Sequence, residues 1–192
     1  MHFWIRICFI PMIFFLMVSQ VSADQSEHDK VEKEKKEIRD KTEETLNRLY
    51  RLQPKAKNAI QNSYGYAVFS NFGTKILLLG GGKGKGEAIN NKTGKETFMK
   101  MLELQAGLGF GLKRFQVVFV FENKKVFDEF INSGWEFGGQ STAAVKLNDD
   151  GGALTGAATV SPGVWIYQLT EDGLALEVTV KGTKYMKDDK LN

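Results

Sequence analysis

The sequence predicts an α+β domain: a strongly curved antiparallel β-sheet, approaching a barrel, with helices at the amino-terminal end and one short helix inserted among the strands. Three observations lead there. Residues 28–53 are dense in charge and carry apolar residues at helical spacing. From Gly65 the pattern changes to alternating or continuous apolar runs broken by turn residues. Within those runs, "NKKVFDEFIN" returns to helical spacing.

The first residues, "MHFWIRICFIPMIFFLMVSQVSADQ", carry Arg6, an apolar stretch over 7–18 and small residues at Val21-Ser22-Ala23. This is the pattern of a secretory leader cleaved after Ala23. The apolar run falls short of the roughly 20 residues needed to cross a bilayer and contains Pro11. Cys8, the one cysteine of the chain, lies inside it. A mature chain beginning at Asp24 would have no disulfide and no thiolate metal site, and is expected in the periplasm or outside the cell. The expected organisation is a leader over 1–23, a charged helix over 24–53 and a sheet domain over 54–192.

Charge rules out a general nucleic-acid binder. The chain has 26 basic and 23 acidic residues; loss of Arg6 leaves 25 minus 23, or +2. An electrostatic site must therefore be local.

The segment "EHDKVEKEKKEIRDKTEETLNRLYRLQP" places Glu32/Lys36, Glu37/Lys41 and Glu44/Arg48 four apart, which supports a solvated helix. Its apolar stripe is thin at Val31 and Ile38 and thickens at Leu46, Leu49 and Leu52, so the second half is expected to dock. Residues 28–52 also offer a surface for a protein partner. Pro54 ends this helix, and "PKAKNAIQNS" reads as a second, short one with Ala56, Ala59 and Ile60 facing inward.

The strands expected next are "GYAVFS", "TKILLLGGGKGKGEAI", "MLELQAGLGFGL" and "FQVVFVF", with a turn over 90–94. Because "QVVFVF" is apolar at consecutive positions, it is expected to be central and covered on both faces. The inserted helix starts at Asn123 as a cap, carries Val126, Phe127, Phe130 and Ile131, and ends at Gly134. "GWEFGGQSTAAVKL", "GALTGAATV", "GVWIYQLT" and "LALEVTVKGTKYM" supply the remaining strands, joined as a meander by turns at 148–152, 161–163 and 171–173. The alternation of Gly107, Gly109 and Gly111 with Leu108, Phe110 and Leu112 bares one strand face, which suits strong curvature.

The glycine-rich stretch "GGGKGKGEAI" at 80–89 is not a nucleotide loop. Lys83 and Lys85 are each followed by glycine rather than by the Ser or Thr that a P-loop needs for magnesium, and Glu87 stands where a dinucleotide fingerprint needs its third glycine. What remains has a period of two: Gly82, Gly84, Gly86 and Ala88 share one face of a strand, and Lys83, Lys85 and Glu87 the other, taken here as the exposed one. The only histidine beyond the leader is His28, so nucleophilic catalysis lacks its usual base. Glu103, Glu122, Asp128 and Glu136 could supply a glycosidase pair only at a separation that sequence does not reveal. "KLNDDGG" fails as a calcium loop because Lys146 would occupy the first ligand position. No enzyme activity, cofactor or metal is expected.

The chain resembles the SYLF lipid-binding domain, found in the yeast actin-patch Ysc84-like proteins, in animal phosphoinositide-binding homologues and in exported bacterial proteins. The resemblance rests on "GYAVF" at 65–69, "GGGKGKG" at 80–86, "TGKETFMKM" at 93–101, "QAGLGFG" at 105–111, "VVFVFENKKVFDEFINSGWEFGG" at 117–139 and "GVWIYQLTEDGLALEVTVKGTKY" at 163–185, in that order. Ser70 stands where the family usually has proline. The SYLF domain would then be residues 54–192. The resemblance implies affinity for anionic phospholipid at a membrane surface; actin and phosphoinositides are not expected partners of an exported bacterial protein. Such binding needs clustered cations, each worth about 1 kcal/mol near an anionic surface. Lys83 and Lys85 project from one strand face, and Lys113 with Arg114 would join them from a turn. These four residues are the candidate lipid contact, with a structural or protein-interaction module of the cell envelope as the alternative.

Overall fold

The computed structural model describes residues 10–70, 81–104, 116–137, 146–147, 154–174 and 183–192. The chain divides into two compact units, Met1–Glu37 and Ile38–Asn192. The first is helical from Ile10 and belongs to α1 (Ile10–Leu52). Along it Lys35 bridges to Glu32 at 2.9 Å. Among the described residues, no helix is long and apolar enough to cross a membrane.

In the second unit, α1 docks through Ile38, Thr42, Thr45 and Leu49, all buried, at alternating spacings of four, three and four that keep one helical stripe against the sheet. The buried Thr45 hydroxyl donates to the Lys41 carbonyl at 2.7 Å, so it enters the apolar contact with its polar atom satisfied. Pro54 sits at the start of α2 (Lys55–Asn62), where a missing amide hydrogen costs nothing, and Ala56 and Ile60 are its buried residues.

Among the described residues, ten strands form one antiparallel, strongly curled sheet. They are β1 (Gly65–Ser70), β2 (Gly81–Asn90), β3 (Glu96–Leu104), β4 (Gln116–Phe121), β5 (Trp135–Phe137), β6 (Lys146–Leu147), β7 (Ala158–Ser161), β8 (Val164–Thr170), β9 (Gly173–Leu174) and β10 (Thr183–Lys187). Their order is β5-β10-β3-β2-β1-β4-β8-β7-β6, with β9 pairing β8. The expected meander holds from β6 to β9. It breaks at β10, which returns across the sheet to lie between β3 and β5, pairing Tyr185 with Met101 and Trp135. The reason is aromatic: buried Tyr185 lies 4.6 Å from Phe69 and 4.9 Å from Phe119, ring centre to ring centre.

The expectation for "QVVFVF" is met. β4 lies between β1 and β8, and its alternate residues enter two different cores. Val117, Phe119 and Phe121 join Phe69, Met99, Met101, Ile166 and Tyr185 beneath Phe127 and Phe130 of α3 (Lys124–Ser133). Val118 and Val120 join Val68, Tyr167 and Leu169 beneath Leu49, Ala56 and Ile60. With an apolar layer on each face, alternation disappears from the strand. The Asn123 side chain caps α3 by accepting from the Val126 amide at 3.2 Å. Gly134, at φ 74°, releases the chain into β5.

Candidate functional site

The tight turn between β2 and β3 sets the geometry of the basic strand face. The Asn90 amide donates to the Lys95 carbonyl at 3.0 Å, and the Asn90 side chain accepts from the Lys92 amide at 2.8 Å. Counting back from this closure pairs Glu87 with Phe98 and Lys85 with Lys100. Lys85 in turn lies opposite Ser70, and Ser70 opposite Gln116. Gln116, Ser70, Lys85 and Lys100 therefore form a polar row across four adjacent strands on one face. Side chains directly opposite in an antiparallel pair sit within about 5.5 Å at Cβ, and like charges so placed repel. Lys85 and Lys100 are both half-buried in that relation.

Of the four residues singled out in the sequence, Lys85 is placed in this row. Lys83 lies two residues further along β2, its backbone opposite Leu102. Lys113 and Arg114 lie outside the described residues. Lys100 was missed by the sequence reading, although the 90–95 turn signal carries the register that reveals it.

The same parity does not stay exposed. Glu87, grouped with Lys83 and Lys85 on the solvent side, is 2% exposed. Parity separates the two faces of a strand but does not say which face a helix will cover, and here α1 covers this one. The Thr42 hydroxyl donates to the Glu87 carboxylate, and Arg39 stands near it. Arg39 is itself engaged by Glu96, at 3.0 Å from Nε and 2.9 Å from Nη2, and lies over the Phe98 ring at 5.2 Å. Burial pushes the Glu87 carboxyl above the usual carboxylate range, Glu96 adds to the rise, and Thr42 and Arg39 oppose it. Further along the helix, Arg48 donates to Gln116 at 3.1 Å and to the Thr170 carbonyl. The docked helix is thus tied to the sheet at β3, β2, β4 and the end of β8, alongside the lysine row.

Among the described residues, no group of His, Cys, Asp or Glu has the arrangement of a metal site. The arrangement that is present among the described residues is a basic strand row flanked by a docked helix on a two-cored sheet.

Residues 102–192 match the family described as Las17-binding protein actin regulator, Ysc84. Over 146 residues the chain is 40% identical to Beta cell expansion factor A of Aeromonas veronii, an alignment covering 76% of this chain and 54% of that protein. The chain spans about half the length of that relative. Together with the ordered motifs, these matches place it in the Ysc84, or SYLF, family. Membership supports, in general terms, a lipid-binding or interaction module.

Proposed function

We propose that this is an exported, non-catalytic protein that binds anionic phospholipid peripherally through a basic strand and turn patch comprising Lys83, Lys85, Lys113 and Arg114, with Lys100 added by the strand register. The observation that carries the reading is the Lys85–Lys100 opposition across β2 and β3. Cations clustered on adjacent strands attract an anionic surface, each worth about 1 kcal/mol near it. The leader-like residues 1–23 support export, with Asp24 as the mature amino terminus. The test is flotation with vesicles of defined composition. Lys85→Glu with Lys100→Glu should weaken binding to anionic vesicles by at least ~2 kcal/mol, about thirtyfold, and wild-type binding should fall with added salt. A double variant that melts normally and floats like wild type would move the lipid contact elsewhere. Binding indifferent to headgroup charge would favour the alternative, an envelope protein-interaction module using residues 28–52, to which the protein-binding description of the family lends support.

A further inference from the structure

Glu87 has no role in the proposed lipid contact, yet it is a carboxylate buried beneath α1. Its Oε2 has no hydrogen-bond partner, and Thr42 of α1 is the hydroxyl bonded to the group. A carboxylate offers about four acceptor sites, and burying one with most of them empty costs far more when it is ionised than when it is neutral. The groups that face it are Arg39 and Thr42 from α1, Tyr66 from β1 and Glu96 from β3, with Phe98 directly opposite and Lys85 two residues along its own strand. Arg39 is shared, because its guanidinium donates twice to Glu96. Ionised Glu87 would thus place a second anion beside one shared cation.

We propose that Glu87 is the pin of a proton-controlled latch that holds residues 38–48 of α1 on the sheet. With Glu87 neutral, Ile38, Thr42 and Thr45 stay seated. With Glu87 ionised, the cheapest way to hydrate the carboxylate is to lift this part of the helix, while Leu49, Ala56 and Ile60 keep the rest of the helical layer in its own core. The sign follows from the direction of the shift. A carboxyl raised by folding lends stability that is complete below its ordinary range and is lost as pH rises through its folded-state value. The latch therefore tightens as pH falls and loosens as pH rises through the raised folded-state value. Opening bares Val68, Phe98 and the inner stripe of α1 beside Lys85 and Lys100; that this regulates membrane contact rests on the lipid reading, but the latch does not.

The test is hydrogen exchange on the full chain from about pH 4.5 to 8, corrected for intrinsic exchange, with the α3 amides as internal reference. In the wild type, protection of residues 38–48 should fall relative to α3 by about tenfold for each unit of raised pKa, as pH rises. Glu87→Gln, neutral at every pH, should keep these amides protected throughout. Thr42→Val, which removes the bond to the anion and keeps the volume, should deepen the fall at the upper end. The same pH dependence in wild type and Glu87→Gln would overturn the proposal. Should Glu87→Gln fail to fold, a Thr42→Val profile identical to wild type would overturn it. Vesicles take no part in this measurement, so its failure leaves the flotation result untouched, and the reverse holds too.

Discussion

A side chain at Gly86 would place its Cβ 2.0 Å from the Val68 carbonyl oxygen and 2.6 Å from the Phe69 ring. β1 and β2 pair Phe69 with Gly86, and the Phe69 ring lies over the glycine on its way to Tyr185 and Phe130. Gly86→Val should therefore cost about 3 kcal/mol, the upper end of the usual penalty for overpacking, since the nearest atom belongs to backbone. Urea unfolding would measure it. A loss below about 1 kcal/mol would mean that the two strands can separate there without harm.

Phe119 is fully buried at the meeting point of Phe69, Phe121, Phe130 and Tyr185. Phe119→Ala should lower stability by about 3–5 kcal/mol. Equilibrium unfolding with circular dichroism checks this, and a loss near that of an exposed phenylalanine would place the centre of the core elsewhere.

Removing the α3 cap should be milder. Asn123→Ala should cost about 1 kcal/mol, because the Val126 amide loses its acceptor, whereas Asn123→Asp should recover most of it. Thermal melts of the pair distinguish a cap from a generic surface contact, which would treat both substitutions alike.

Alkaline pH should unfold the helix-covered core. Burial pushes the phenols of Tyr66 and Tyr167 up to about 12, with Tyr50, Glu87 and Glu96 adding to the rise at Tyr66. Their folded-state values lie above the unfolded ones, so the stability they confer is complete below about pH 10 and is lost as pH rises toward 12. Ultraviolet titration of phenolate should show a late step that coincides with loss of circular dichroism. Tyr66→Phe should reduce that step, and ordinary titration near 10 for every tyrosine would contradict the burial.

Much of this architecture is legible in the sequence because its signals are local. Asn123, the phenylalanines of α3 and Gly134 spell out one helix with both ends, and the unbroken "QVVFVF" announces a strand covered twice. Two things depend on distant partners and were not legible. The place of β10 follows from the affinity of Tyr185 for an aromatic cluster assembled by β1, β4 and α3, none of which is near it in the chain. The burial of Glu87 follows from which face α1 selects, and a period of two is silent on that choice. At the candidate site, Lys85 was legible from alternation, while Lys100 required the hairpin register as well.

The separation of the two cores by a single sheet also divides the chromophores of the protein. Trp135 packs against the core that holds Phe119, and Trp165 against the core that holds Val118 and Tyr167. With Trp4 these are the three tryptophans of the sequence. Each side of the sheet thus carries its own intrinsic fluorophore. Replacing one indole at a time would turn ordinary emission spectroscopy into a side-specific readout, able to tell whether the helical layer and the aromatic layer dissolve together or one before the other.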